Sequence, residues 1–120
     1  MNNYSFLDKM KEDFLDTLEQ KSSTQIDIDD LSINYSCSLD EWLKKRLSLL
    51  QRNIDIFIHA KIDGDEVAMQ SSLLISRTHA MGLSSFFDAI VEDIEVILNT
   101  GEWDGIPEEY KLPEKYKRNY

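Results

Sequence analysis

The sequence has few of the features that mark disulfide-linked, membrane or secreted proteins. Cys37 is the sole cysteine among 120 residues, so no internal disulfide can form and a reducing compartment is the natural prediction. Apolar runs extend over only a few residues, as in Ile56-Phe57-Ile58, far short of the ~20 that a membrane-spanning helix needs. The first residues also lack the basic and apolar segments of a secretory signal. These absences predict a cytoplasmic protein without a membrane segment.

Basic residues are scarce as well, and their distribution is uneven. The chain has 13 lysines and arginines against 23 acids, which gives a net charge of −10. Between Ile62 and Gly105 nine acids accompany one base, Arg77, whereas residues 39–61 carry a net +2. A local field of one sign attracts basic partners and repels nucleic acid and anionic lipid. The charge pattern therefore predicts a basic protein partner, with no direct nucleic-acid or membrane binding.

The remaining composition predicts one acidic helical domain spanning residues 1–120. The hydrophobic fraction of 42% and aromatic fraction of 10% are too high for a disordered chain, although 30% of the residues are charged. A chain of this length buries roughly two-thirds of its unfolded surface, which is enough for one core. No internal repeat or low-complexity segment divides it.

Apolar periodicity predicts a mainly α fold, a compact bundle of four principal helices. The first helix is expected over residues 4–21, where Ser5 supplies a cap and Asp8 favours the positive helix end. The clearest helix start is the capping box of residues 38–41, and the helix that it opens is expected to reach about Ile62.

Glycines are predicted to separate the second, third and fourth helices. Gly64 can supply the left-handed residue that ends the second helix. The third is expected over residues 65–81 and to end at Gly82, and the fourth over residues 85–100, because Ser85 stands at capping-box spacing from an acid. Connections this short would make neighbouring helices antiparallel.

Two further segments are predicted to be nonhelical. Residues 26–37 alternate apolar and polar side chains, which is typical of a small hairpin or of an extended loop held by Ile33 and Tyr35. After residue 101 two prolines prevent a long helix. This C-terminal tail is nevertheless too apolar for a free linker, and we expect it to pack on the bundle through Trp103, Ile106, Tyr110 and Leu112.

A group of acids without nearby bases is predicted to form a partner-binding surface. No lysine or arginine lies between Gly82 and Tyr110, although solvated helix faces usually mix charge signs. Acids late in a helix oppose its negative C-terminal end, so their position costs some stability. The surface is predicted to consist of six outward-facing residues, Asp88, Glu92, Asp93, Glu95, Glu102 and Asp104.

These features favour a noncatalytic cytoplasmic protein that neutralises a basic partner. A nuclease is basic where it holds nucleic acid, so a rigid acidic face complements it and speeds association. The composition and size are similar to those of the helical immunity proteins of nuclease bacteriocins, which favours an immunity protein or antitoxin. An alternative is a phage-type inhibitor that mimics DNA, which would need acids in two phosphate-like rows. No cofactor or metal is expected.

A second alternative is a small helical enzyme. Arg52 and His59 stand seven residues apart, so they share a helix face, and with Asn53 they resemble the signature of HEPN-domain ribonucleases. That resemblance implies a pair that works at a dimer interface. Glu92 and its neighbouring acids are similar to the carboxylates of MazG-type magnesium-dependent nucleotide hydrolases, but the third helix offers only Glu66 opposite them. We assign no catalytic residue.

Overall fold

The computed structural model describes residues 3–117, and this part of the chain is mainly α-helical. It contains three helices, α1 (Phe6–Lys21), α2 (Leu39–Asp63) and α3 (Glu66–Thr100). Single 3₁₀ turns at Ile28–Asp30 and Glu114–Tyr116 interrupt the connecting segments, and no strand occurs among these residues. The predicted mainly α class is confirmed.

Local signals define both ends of α2 as predicted. The Ser38 hydroxyl accepts a hydrogen bond from the Glu41 N–H at 3.2 Å, which satisfies one of the free N–H groups at the helix start. Gly64 ends the helix with φ 69°, a left-handed conformation that costs glycine little. Asp65 then caps α3 by accepting from the Ala68 N–H at 3.0 Å.

The prediction of four helices is wrong, because α3 runs without interruption through Gly82 and Ser85. Glycine in a helix interior costs about 1 kcal/mol, which tertiary packing can outweigh. Leu83, the next residue, is buried in the hydrophobic core against residues of α1 and α2, and this packing stabilises the helical conformation at Gly82. Ser85 therefore lies within a helical turn and does not begin a new helix.

Helices α2 and α3 form an antiparallel hairpin, and α1 packs against both of them at the end away from the hairpin turn. The Tyr4 N–H donates to Asp40 at 2.7 Å, so the segment leading into α1 lies beside the start of α2. The Lys21 carbonyl accepts from the Glu102 N–H at 2.7 Å, so α1 ends beside the end of α3. The buried core at this end of the molecule consists of Leu7, Ile33, Leu39, Leu43 and Leu83.

The predicted compact shape is also wrong. The radius of gyration is 19.7 Å and the molecule extends over 60 × 36 × 26 Å. A compact domain of this length would have a radius of gyration of about 14 Å. Both the part of the hairpin near its turn and the exposed C-terminal tail extend beyond the core that α1 completes, which accounts for the excess.

The segment between α1 and α2 adopts the extended-loop alternative and not the hairpin. It contains the 3₁₀ turn at Ile28–Asp30 and is held to α3 through Ile33 and Tyr35. An isolated bridge between Ser22 and Gly101 ties the end of α1 to the end of α3. The apolar alternation here reflects packing of the loop against the helices, with Ile33 in the core, and not strand pairing.

The C-terminal tail is anchored at its beginning, and the prediction that it packs on the bundle is wrong for most of its apolar residues. The Trp103 indole N–H donates to the Ile97 carbonyl at 3.1 Å, and Lys21 lies 5.4 Å from the centre of the ring. Ile106 is 86% exposed and Tyr110 is 53% exposed, whereas Leu112 is partly buried. No helix within residues 3–117 is long and apolar enough to cross a membrane.

Candidate partner-binding surface

Asp93, one of the six acids predicted to face outward, is fully buried, and this part of the prediction is wrong. Its carboxylate accepts hydrogen bonds from the backbone N–H groups of Ser32 and Ile33 at 2.7 and 2.9 Å, and from the Tyr35 hydroxyl at 2.8 Å. A buried carboxylate must be hydrogen-bonded to be tolerated. Asp93 therefore fixes the loop before α2 onto α3 and is not available to a partner.

Burial and the bond to Asp93 also affect the Tyr35 phenol. Removal from water disfavours the phenolate, and the hydrogen bond to the neighbouring carboxylate opposes ionisation further, so the pKa of Tyr35 is raised well above its ordinary value. Tyr35 therefore stays neutral and donates a hydrogen bond to Asp93. Sequence reasoning missed this pair, although Asp93 stands four residues from both Ala89 and Ile97, a spacing shared by residues on the packed face of α3.

The other five predicted acids are exposed. Three lie on α3, and two follow its end. Glu92 accepts a hydrogen bond from the Ser32 hydroxyl, which places it next to the Asp93 contact but still at the surface. None of the five has a salt-bridge partner within residues 3–117, and they are Asp88, Glu92, Glu95, Glu102 and Asp104.

An exposed apolar stripe runs beside these acids on α3. It consists of Phe87, Val91, Ile94 and Leu98, which recur at steps of four, three and four and are all more than a third exposed. Each of the three helical acids follows a residue of this stripe directly in the sequence, so the acids lie along one edge of it. We call the stripe and the five exposed acids together the acidic surface.

Asp8 has a structural role that differs from the predicted one. It accepts from the backbone N–H groups of Leu39 and Asp40 at 2.8 and 3.2 Å, and Lys11 lies 3.2 Å away. Partial burial opposes its ionisation, but these donors and the lysine outweigh that effect and lower the pKa of Asp8. Asp8 thus caps α2 from a neighbouring helix, whereas Ser5 makes no side-chain capping bond.

Arg52 and His59 line one open groove on the hairpin, with a volume of about 610 Å³. The Asp55 carbonyl lies 2.8 Å from His59 Nδ1, and since a carbonyl can only accept, Nδ1 donates and Nε2 is the nitrogen left for another partner. Asp63 and Asp65 lie in the same groove. Arg52 and His59 therefore line the same groove, together with acidic residues.

Two other polar groups that could have taken part in catalysis, His79 and Glu66, do not line this groove. His79 Nδ1 lies 3.1 Å from Arg46, whose guanidinium stands 4.9 Å from the centre of the Trp42 ring. Glu66 begins α3, at the opposite end from Glu92. Within residues 3–117 no group of three or more histidine, cysteine and acidic side chains is placed to hold a metal ion.

Comparison with known proteins adds no relative to this geometry. No family model matches the chain, and no curated protein or solved structure shows significant similarity to it.

Proposed function

We propose that this chain is a noncatalytic binding protein that neutralises a basic protein partner through the acidic surface. The observation that carries the proposal is the exposed apolar stripe of α3 with unpaired acids along its edge and beyond its end. A stable interface commonly has an apolar centre and a polar rim, and the acidic surface provides both.

The two parts of this surface would have different roles in binding. Burial of the stripe residues, such as Val91 and Leu98, would supply most of the affinity, because apolar contact slows dissociation. The acids would speed association with a positively charged protein and disfavour acidic competitors. A net charge of −10 strengthens this long-range attraction at low salt.

A nuclease toxin is the partner class whose chemistry fits best. Its nucleic-acid site must be basic, and an acidic protein that covers the site would block substrate entry. We therefore propose the role of an immunity protein or antitoxin acting in the cytoplasm. A DNA-mimic inhibitor is a less favoured form of the same binding, since Asp88, Glu92 and Glu95 follow a single helix and do not form the two rows of a duplex.

The test is a charge reversal that spares the Asp93 contact. The double variant Asp88→Lys/Glu95→Lys should retain the fold and weaken binding by roughly 1–3 kcal/mol per desolvated pair, with slower association and reduced salt dependence. The matched control is Asp16→Lys/Glu19→Lys on α1, which makes the same change in net charge at two exposed acids. Binding is measured by calorimetry at low and high salt, with the protein that copurifies with the untagged chain.

Equal affinity and equal salt dependence for wild type and the α3 variant would show that these acids are only solvated. Equal weakening in both variants would show a general effect of net charge and no defined surface. Either result would remove the acidic surface as the proposed binding site.

A HEPN-like ribonuclease is a second candidate, favoured by the single observation that Arg52 and His59 line the same groove. The binding proposal expects no cleavage of RNA by the purified protein, with or without magnesium. Cleavage that disappears in His59→Ala would replace the binding proposal with the enzymatic one.

A further inference from the structure

In the part of the hairpin near its turn, the fully buried side chains are small or polar, and large ones such as Phe57 are only partly buried. The buried residues of α2 there are Asn53 and Ala60, and those of α3 are Ser72 and Ser76. Such residues let two helices approach closely, but they bury little apolar area. The Ser76 hydroxyl is buried without a hydrogen-bond partner among the described residues. This helix pair therefore gains limited stabilisation from its own contact.

One flank of the hairpin presents four large apolar side chains that are partly exposed. Asn53 and Ser72 face the partner helix within the hairpin. Ile54 and Leu73 follow them directly, so each points about 100° away from the contact between α2 and α3. In an antiparallel pair that rotation brings both residues to the same side. Leu47 and Ile58 stand seven before and four after Ile54 and share its flank. We call Leu47, Ile54, Ile58 and Leu73 the hairpin face, and each is 36–47% exposed.

The middle of α3 carries unusually little charge. From Val67 to Phe87 the helix has a single charged residue, Arg77. A surface helix normally has charged or polar residues on its outer side, and here those residues are almost all neutral, so covering them removes few charges from water. Residues 47–87 as a whole contain four acids and three bases, a net charge of −1, although the chain carries −10.

The accessible area of the chain is larger than that of a compact monomer of the same mass. The area is 9,494 Å², whereas a compact monomer of 14.0 kDa exposes about 6,700 Å². The difference of roughly 2,800 Å² includes the exposed tail, and it exceeds the ~1,000–2,500 Å² that one subunit of an obligate dimer contributes. The chain therefore exposes enough surface to contribute an interface of this size.

We propose that a second copy of this chain covers the hairpin face, so that two hairpins pack as a four-helix bundle with two-fold symmetry. Four helices supply the closed apolar core that two lack. The near-neutral hairpin allows self-association without strong repulsion, whereas a basic partner would be drawn to the acidic surface. Lys61 and Arg77 follow Ala60 and Ser76 on the same flank, where their long stems let the charges reach the rim. This assembly does not depend on the proposed function.

Analytical ultracentrifugation of the full chain tests the proposal. The wild type should sediment at twice 14.0 kDa at micromolar concentration. Ile54→Glu/Leu73→Glu should sediment as a monomer, with the dissociation constant raised by roughly 100-fold or more, because each of the two substitutions would cost at least a factor of ten. The matched control is Ile56→Glu/Ile75→Glu, since these two isoleucines are each 44% exposed but lie toward the opposite flank. The control should remain dimeric.

A monomeric wild type at high micromolar concentration would overturn the proposal. The proposal would also be overturned if the control dissociated while the Ile54/Leu73 variant remained a dimer. That result would place the interface on the opposite flank, where Ile56 and Arg52 line the groove. Hydrogen exchange on the wild type gives a readout that does not depend on variant folding. Protection of residues 69–81 should fall on dilution through the dissociation constant, and unchanged protection would contradict the assembly. None of these measurements involves the basic partner.

Discussion

At the scale of single residues, Asp93 links two parts of the chain that are 60 positions apart. Its carboxylate replaces water for two backbone N–H groups of the loop before α2 and for the Tyr35 hydroxyl. Hydrogen bonds to a carboxylate are stronger than those between neutral groups. Removing the carboxylate would also leave buried N–H and O–H donors without acceptors, which costs free energy of folding. Asp93 thus holds the loop to α3, while Lys11 of α1 donates to the Tyr35 and Cys37 carbonyls of the same loop.

We predict that Asp93→Asn destabilises the protein by about 2–4 kcal/mol, because an amide group faces backbone donors with at most one suitable oxygen. Glu92→Gln, the neighbouring exposed position, should change the free energy of unfolding by less than about 0.5 kcal/mol. Urea denaturation followed by circular dichroism measures both. Similar stability for the two variants would contradict the role assigned to Asp93.

The sequence predicts residue roles well where the partner is close along the chain. Ser38 is predictable as a cap because it bonds to a group only three residues away. Asp93 and Asp8 were misassigned because their partners lie 60 and 31 residues away, and helical spacing alone does not show which neighbours they meet. The exposed acids were predicted from charge pattern, which identifies a surface but not its partner.

At the scale of elements, the continuity of α3 distinguishes the structure from the sequence-based prediction. Glycine followed by serines is a typical helix boundary, and only the burial of Leu83 among residues of α1 and α2 reverses that preference. Local propensity gave the wrong result here because packing contributes more than the ~1 kcal/mol cost of one glycine.

Substitution of Gly82 distinguishes a continuous α3 from two helices that are separated at this glycine. In the continuous helix a Cβ at this position would lie 3.7 Å from the Arg46 side chain, an ordinary contact, so Gly82→Ala should stabilise the protein by about 0.5–1 kcal/mol. Gly64→Ala is the control and should destabilise by about 1 kcal/mol, because φ is 69° there. Thermal unfolding measures both, and a loss of stability in Gly82→Ala would indicate a helix break.

At the scale of the whole molecule, the chain divides into a three-helix core, a projecting hairpin and an exposed tail. The tail contacts the core through Glu102 and Trp103, while residues such as Ile106 extend into solvent. Its aromatic composition predicted packing, but two prolines and a glycine hold the backbone away from the helices over most of this segment.

Two truncations test this description of the tail. Removal of residues 105–120 should change the free energy of unfolding by less than about 1 kcal/mol, because the apolar residues lost are mostly exposed. Removal of residues 101–120 should cost about 2 kcal/mol more, since it also deletes the Glu102 and Trp103 hydrogen bonds and the partial burial of the indole. Chemical denaturation of both proteins gives the comparison, and equal stability would show that the anchor contributes nothing.

The uninterrupted α3 also has a consequence for valency. At 1.5 Å per residue its 35 residues span about 52 Å, with the acidic surface at one end and the hairpin face toward the other. Two chains joined at their hairpins would hold their acidic ends apart on stiff arms. Each end could then engage a separate partner molecule, and a partner that was itself dimeric would be held with avidity set by the length of this helix.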